Sequence, residues 1–107
     1  MLVIAVYIPD EALDEVKEAM FAAGAGVIGN YDSCAWQTKG EGQFRPLDGS
    51  QPYLGRQGEI EKVVEYKVEL VCDEQNIKQV LQAMIAAHPY EEPAYHVFDG
   101  KTLSDFC

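Results

Sequence analysis

Basic residues are scarce in this sequence. Its 107 residues include 8 Lys and Arg against 18 Asp and Glu, and the net charge at pH 7 is −10. Binding to nucleic-acid phosphates or to anionic membrane surfaces depends on clustered Lys and Arg side chains. The eight basic residues are instead scattered along the chain. The composition therefore argues against a nucleic-acid partner and against a membrane partner.

Long apolar runs and export signals are also lacking. No stretch approaches the roughly 18 apolar residues that a membrane span requires. The apolar start at residues 2–8 has no basic region before it and acidic residues directly after it, so no signal peptide is predicted. The three cysteines are widely spaced and contain no Cys-x-x-Cys pair, which is typical of reduced thiols. We therefore expect a cytoplasmic protein.

Apolar residues are plentiful, at 48% of the chain, with 10% aromatic residues, so the chain as a whole is not disordered. The length fits one compact domain. We expect a single domain over residues 1–98 and a polar C-terminal tail over residues 99–107.

The first third of the chain predicts a strand and a helix. Residues 2–8 form a continuous apolar run of strand length, which indicates a strand covered on both sides. An amphipathic helix is expected over about residues 11–23, with Asp10 as its N-cap and Gly24 as its C-terminal cap. Residues 24–29 match the pattern G-x-G-x-x-G, but they follow a helix, whereas a dinucleotide site needs the glycines before one.

The middle of the chain predicts two more strands and a long loop. A strand is expected over residues 31–38, a turn over residues 39–42 and a short return strand from Gln43 that Pro46 limits. The loop over residues 47–58 is longer than a plain turn requires, which favours a functional or interfacial role. Apolar residues then alternate with charged residues over 64–70, a pattern typical of a strand with one buried face.

The last third predicts a helix and a strand. Asp73 is the expected N-cap of a second amphipathic helix, which Pro89 ends near His88, and a short strand covers residues 95–98. The order β-α-β-β-α-β predicts an α+β, ferredoxin-like fold, with a four-stranded antiparallel sheet and two helices on one face. Right-handed crossovers place the first and third strands at the centre of the sheet.

This fold leaves one face of the sheet without helices. Half of the apolar strand at residues 2–8 must point to that face, either Val3, Ala5 and Tyr7 or the alternate set. An exposed apolar sheet face usually contacts another chain. We therefore expect a homo-oligomer.

The densest polar cluster lies at residues 88–96. A histidine at a helix end beside two carboxylates could bind a divalent cation or act in acid–base chemistry, with His88, Glu91 and Glu92 as the metal alternative. In the structural interpretation, which the residues favour, His88 satisfies the last carbonyls of its helix while Glu91 and Glu92 stay solvated. No metal motif or third ligand accompanies the cluster, so no cofactor is expected.

Catalytic signals are weak elsewhere. Ser33 and Cys34 lack a nucleophile elbow, and Cys34 has no basic neighbour in sequence that would lower its pKa. Asn30 and Tyr31 follow the glycine-rich turn and would line a pocket with the 88–96 segment if the second strand begins near the end of the second helix. The candidate ligand-binding residues are therefore Asn30, Tyr31, His88, Tyr90, Glu91 and Glu92, and no catalytic residue is predicted.

Three segments, residues 24–34, 42–46 and 88–95, closely resemble one known module in the same order. This module is the PII/CutA-like insertion domain of many bacterial members of the GTP cyclohydrolase 1 type 2 homologue (YqfO-like) family. The resemblance covers about residues 2–98. It implies a ferredoxin-like fold related to the signalling protein PII and the cation-tolerance protein CutA. Both are trimeric, so a trimer is favoured over a dimer.

The chain departs from the two-part family members in one respect. Their dinuclear metal site lies in an α/β body that flanks the insertion, and this sequence has no counterpart of that body. The resemblance therefore implies a stand-alone, non-enzymatic copy of the insertion that serves regulation, assembly or the binding of a small molecule or protein partner. A CutA-type divalent-cation binder that uses His88, Glu91 and Glu92 is the alternative, and a hydrolase-related enzyme comes third.

Overall fold

The computed structural model describes residues 1–106, and Cys107 of the predicted tail lies outside them. The strands are β1 (Leu2–Pro9), β2 (Trp36–Phe44), β3 (Glu61–Cys72) and β4 (Tyr95–Asp99), and the helices are α1 (Leu13–Ala22) and α2 (Ile77–Ala87). The predicted order β-α-β-β-α-β is therefore confirmed. None of the helices in this part of the chain has both the length and the apolarity of a membrane-spanning segment.

The four strands form one antiparallel sheet in the order β2-β3-β1-β4. The first and third strands lie at its centre, as predicted from right-handed crossovers. β1 pairs with β3 along its whole length, from Leu2 opposite Cys72 to Pro9 opposite Glu65. The central position of β1 accounts for its apolar residues on the face covered by the helices, whereas the apolar residues on its other face have no helix above them.

Both helices pack on the same face of the sheet. The hydrophobic core lies between the helices and that face, and its side chains are almost fully buried. β1 and β3 supply alternate residues, as the two-residue period of a strand requires. The main contributors are Ile4, Val6, Ile8, Val68 and Leu70 from the sheet and Val16, Met20, Val80 and Met84 from the helices.

The opposite side of the sheet, here called the helix-free face, carries the other residues of each strand. Val3, Ala5 and Tyr7 alternate with the core residues of β1, so this first set is the one that lies on the helix-free face. Val3 pairs with Val71 and with Phe98, and Ala5 pairs with His96. Directly paired residues share a face of a sheet, so apolar side chains from three strands lie together there.

The predicted turn at residues 39–42 is wrong. β2 runs without interruption from Trp36 to Phe44 and pairs with β3 along that length. Gly42 lies within this strand and not in a turn, and a Cβ atom there would displace the carboxylate of Glu65. The strand also begins at Trp36 and not at residue 31, since Ser33 has a φ of 55°, which an extended strand cannot contain.

The two predicted N-cap residues form no side-chain cap, although Asp73 occupies the N-cap position of the turn before α2. Each helix is preceded by a 3₁₀ turn, Asp10–Ala12 or Glu74–Asn76, and no side-chain hydrogen bond caps these turns. Asp73 contributes its backbone carbonyl oxygen, which accepts a hydrogen bond from the N–H of Asn76 at 3.0 Å. The predicted helix ends are confirmed: Gly24, with a φ of +116°, follows α1, and α2 ends at Ala87 with His88 as its C-cap.

β2 and β3 extend beyond the other strands. β1 reaches residue 65 of β3, whereas β2 continues to pair as far as Phe44 opposite Glu61. Residues 41–44 and 61–64 therefore form a two-stranded ribbon, and the loop over residues 45–60 joins its ends. The molecule measures 52 × 25 × 23 Å, and its radius of gyration is 15.2 Å. A compact domain of this length has a radius of gyration of about 13 Å, so the ribbon makes the chain elongated.

Candidate functional site

A cleft of about 730 Å³ lies where the ribbon leaves the body of the sheet. The end of β2 and the first part of the following loop form one wall, over residues 42–50 and 52–54. The segment after α2 forms the other wall through residues 90–92 and 94, and Tyr7 and Glu65 complete the lining. The fold thus brings together four parts of the chain that are separated in sequence.

Three aromatic rings meet in this cleft. The ring centre of Tyr90 lies 6.0 Å from that of Phe44 and 6.2 Å from that of Tyr53, and both pairs are tilted. These distances and tilts are typical of favourable aromatic contacts. Tyr90 and Phe44 are half-buried, whereas Tyr53 lies on the loop and is 49% exposed. The rings therefore present a partly open aromatic surface.

Tyr90 is fixed by a hydrogen bond to the sheet. Its hydroxyl group donates to Oε2 of Glu65 at 2.7 Å. Burial raises the pKa of Tyr90, and the hydrogen bond and negative charge of Glu65 raise it further. The phenol therefore stays protonated and acts as the donor, while Glu65 acts as the acceptor.

His88 holds the segment after α2 against β1. Nε2 of His88 lies 2.7 Å from the carbonyl oxygen of Tyr7, and Nδ1 accepts a hydrogen bond from the backbone N–H of Tyr90 at 3.2 Å. This pair of partners requires the neutral ring with its proton on Nε2. Burial lowers the pKa of His88, and this effect outweighs the opposing effects of the Tyr7 carbonyl and the Glu65 charge.

The role of His88 is thus positional, but its partner differs from the expected one. From the sequence, His88 was expected to contact the last carbonyl groups of α2. In the structure its ring contacts the carbonyl oxygen of Tyr7 on β1 instead. The backbone becomes extended at His88, with a ψ of 133°, so the chain leaves the helix at this residue. Both ring nitrogens are engaged within the chain.

Two further contacts hold the long loop near the body of the protein. Oε1 of Glu91 accepts a hydrogen bond from the backbone N–H of Gln51 at 2.9 Å, which joins the two walls of the cleft. Glu91 was expected to be only solvated, and it is exposed but bonded. The hydroxyl group of Tyr53 donates to Oε1 of Glu11 at 3.3 Å. Glu92 lines the cleft and is exposed.

Asn30 and Tyr31 lie elsewhere. Both are exposed in a turn that closes between Ile28 and Tyr31. The preceding Gly26 donates its N–H to the carbonyl of Val71, beside the start of β1, whereas His88 bonds near the end of β1. Because α1 runs back along the sheet, this turn and the 88–92 segment lie at opposite ends, and the predicted shared pocket is not formed within one chain.

The geometry does not favour the metal alternative. Residues 1–106 contain no group of three or more His, Cys, Asp or Glu side chains placed to hold a metal ion. His88 uses both ring nitrogens for bonds within the chain. Binding a cation through His88 would break one of these two hydrogen bonds.

The residues of the cleft that were not candidates from the sequence include Tyr7, Phe44, Tyr53 and Glu65. Glu65 belongs to the alternating charged set of β3, which predicted only a more polar face. Tyr53 lies in the loop whose length predicted a function, and this was the one available signal. The aromatic contacts depend on where the loop folds back, which no local pattern specifies.

Comparisons with known proteins place the chain among its relatives. No protein-family model matches it. It is 44% identical over 104 residues to a GTP cyclohydrolase 1 type 2 homolog of Halalkalibacterium halodurans, a match that covers 94% of this chain and 28% of the relative. It is 50% identical over 93 residues to the protein of the same name from Mycobacterium leprae, covering 87% of this chain and 24% of the relative. The chain thus spans about a quarter of the length of these curated relatives.

Solved structures agree. A Bacillus cereus protein related to NIF3 superposes with a TM-score of 0.78 and 37% identity, over 91% of this chain and 24% of that one. CutA1 from Pyrococcus horikoshii superposes with a TM-score of 0.69 over 96% of this chain and 86% of that one; at 18% identity it shows the fold alone. The chain has a CutA-like fold and is similar, over nearly its whole length, to one domain-sized part of the GTP cyclohydrolase 1 type 2 homologues, about a quarter of their length.

Proposed function

We propose that the chain is a non-enzymatic, cytoplasmic module that assembles with copies of itself through the helix-free face and binds a small ligand in the cleft, in a regulatory or assembly role. One observation carries this proposal, namely that apolar side chains from several strands lie on a sheet face that no helix covers. The proposal covers this chain only, because it matches a quarter of its named relatives.

The helix-free face exposes large apolar side chains. Phe98 is 55% exposed although it is paired with Val3, and Trp36 is 68% exposed at the β2 edge. Trp36 pairs with Glu69, which in turn pairs with Ala5, so all of these side chains share the helix-free face. Contiguous exposed apolar surface of this kind marks interaction sites.

A second copy of the chain is the occupant that this face suits. Charged residues of both signs, Lys67 and Glu69, lie on it 3.8 Å apart, so the same surface can pair with itself under rotational symmetry. The ribbon supports the same conclusion, because a two-stranded ribbon alone is marginally stable in water. β2 is also a nine-residue edge strand with one unpaired side. We favour a trimer over a dimer, as the resemblance to PII and CutA implies.

The chemistry of the cleft supports a binding role over a catalytic one. Within the described chain, the residues that line it include no histidine, cysteine or lysine. Its one serine, Ser50, donates its hydroxyl proton to the carbonyl of Leu47 at 2.6 Å. Nucleophilic catalysis requires a nucleophile paired with a base, and this lining offers no such pair.

Light scattering coupled to size-exclusion chromatography at micromolar concentration tests the assembly. The wild-type chain should elute at a multiple of 11.9 kDa, with three copies favoured. Phe98→Glu places a charge in the helix-free face and should give a monomer. Ile85→Glu is the matched control, because Ile85 is an exposed apolar residue on α2. A monomeric wild type, or equal dissociation in both variants, would contradict the proposed interface.

A further inference from the structure

We propose that the ligand of the cleft is a small organic cation, an amine or a guanidinium compound. This inference rests on the small-ligand part of the proposed function. It specifies the chemistry that the cleft recognises, which neither the fold nor the relatives define. Three features of the cleft favour a cationic ligand, namely its aromatic rings, the negative charge of its lining and the contacts that hold both in place.

The aromatic surface is the first support. The ring centre of Tyr90, on one wall of the cleft, lies 6.0 Å from that of Phe44 and 6.2 Å from that of Tyr53, which both belong to the other wall. The face of an aromatic ring attracts a cation within about 6 Å of its centre, and several rings around one ligand form the cage that recognises quaternary ammonium groups. The cleft volume of about 730 Å³ lies within the usual range for small-molecule sites.

The charge of the lining is the second support. Four carboxylates line the cleft, against one guanidinium group; they belong to Asp48, Glu65, Glu91 and Glu92, and the guanidinium to Arg45. Glu65 and Glu91 each use one oxygen in a hydrogen bond within the chain. A carboxylate has two oxygens, so both residues keep acceptor capacity for the N–H donors of a ligand. A phosphate or another anion meets repulsion instead.

The site is also held in shape before any ligand binds. His88 fixes the backbone of Tyr90, and Glu65 fixes its hydroxyl group. The bond from Gln51 to Glu91 joins the two walls. Such preorganisation lowers the entropic cost of binding. These contacts distinguish the cleft from a patch of solvated acidic residues.

Matched ligand pairs test the charge requirement by calorimetric titration of the full chain at physiological salt. Choline is compared with its neutral isostere 3,3-dimethylbutan-1-ol, and arginine with citrulline. We expect the cation of at least one pair to bind at least about tenfold more tightly than its neutral isostere, since several rings and carboxylates act on the charge together. The absence of cation binding, equal binding of the neutral compounds, or tighter binding of inorganic phosphate would overturn the inference.

Three variants locate the binding. Tyr53→Leu removes an exposed ring and should weaken cation binding about three- to tenfold. Glu91→Gln should weaken it by a similar factor. Glu18→Gln is the control, because it removes the same charge from an exposed position on α1 outside the cleft and should leave the affinity unchanged. Equal weakening by Glu91→Gln and Glu18→Gln would mean that only the overall negative charge acts, which would refute the site.

The two proposals fail separately. A monomeric chain that still prefers the cations would refute the assembly and support the ligand class. A stable oligomer that binds none of the cations would support the assembly and refute the ligand class. Chemical-shift changes in the amide spectrum on titration should concentrate at residues 42–54 and 90–94, and changes confined to other regions would overturn the inference.

Discussion

Replacing His88 with alanine should destabilise the protein more at neutral pH than at acidic pH. The ring is 6% exposed and bonds to the carbonyl oxygen of Tyr7 and to the N–H of Tyr90. The substitution leaves both backbone groups without these partners and removes the packing of the ring. An unsatisfied buried polar group costs about 1–3 kcal/mol, so the free energy of unfolding at pH 7.5 should fall by about 2–4 kcal/mol.

The pH dependence follows from the protonation state of the ring. The fold lowers the pKa of His88 below its ordinary value of 6.5, so the folded chain binds fewer protons than the unfolded chain below that pH. The stabilisation is therefore complete above about pH 6.5 and is lost as the pH falls towards the lowered pKa. A protonated Nδ1 would also point its hydrogen at the N–H of Tyr90.

Urea denaturation at equal protein concentration, at pH 7.5 and pH 5, measures this effect. The loss is at most about 1.4 kcal/mol per pH unit for one proton, so the difference between wild type and His88→Ala should shrink clearly at pH 5. Comparing the two proteins cancels the titration of the carboxylates. Gln82→Ala, an exposed position on α2, is the control and should follow the wild type at both pH values.

Two outcomes would contradict this role of His88. A stability difference between wild type and His88→Ala that stays constant or grows from pH 7.5 to pH 5 would show that the folded protein does not favour the neutral ring. A loss below about 0.5 kcal/mol at pH 7.5 would show that the ring does not satisfy buried groups.

Urea denaturation also tests two further predictions, one on a glycine turn and one on a hydrogen bond in the cleft. Gly26→Ala should lower the free energy of unfolding by about 2–3 kcal/mol, because φ is +77° and the new Cβ would lie 2.9 Å from the carbonyl oxygen of Cys34. Gly29→Ala is the control: φ is +56° with open space around the residue, so the loss should be only about 1 kcal/mol. Equal losses in the two variants would refute the steric explanation. Tyr90→Phe keeps the ring but removes the hydroxyl donor to Glu65, so the free energy of unfolding should fall by about 1 kcal/mol. The affinity for the cation should stay within about threefold of the wild type. An unchanged unfolding midpoint would mean that this hydrogen bond does not contribute to stability.

Much of the fold was predictable from the sequence because it depends on patterns that residues create locally. The apolar run of β1 and the alternation in β3 indicated their strands, and handedness then placed both at the centre of the sheet. The turn predicted at residues 39–42 was wrong because a glycine in a strand and a glycine in a turn look alike in sequence. Only the side chain of Glu65, which lies over Gly42 in the folded protein, distinguishes them.

The candidate site was less predictable because it depends on contacts between residues that are far apart in sequence. The sequence drew attention to the 88–92 segment and, separately, to the long loop after β2, but nothing local indicated that the two segments meet. Their meeting depends on contacts between residues 40 positions apart, such as Gln51 and Glu91. Asn30 and Tyr31 were grouped with the 88–92 segment on the assumption that the second strand begins near the end of α2. In the structure, α1 places them at the opposite end of the sheet.

The cleft and the hydrophobic core have no side chain in common. Substitutions along the cleft walls therefore leave the packing between helices and sheet intact, and changes of core residues do not alter the chemistry presented to a ligand. Under the proposed binding role, related chains can therefore differ in what they recognise while they retain one architecture.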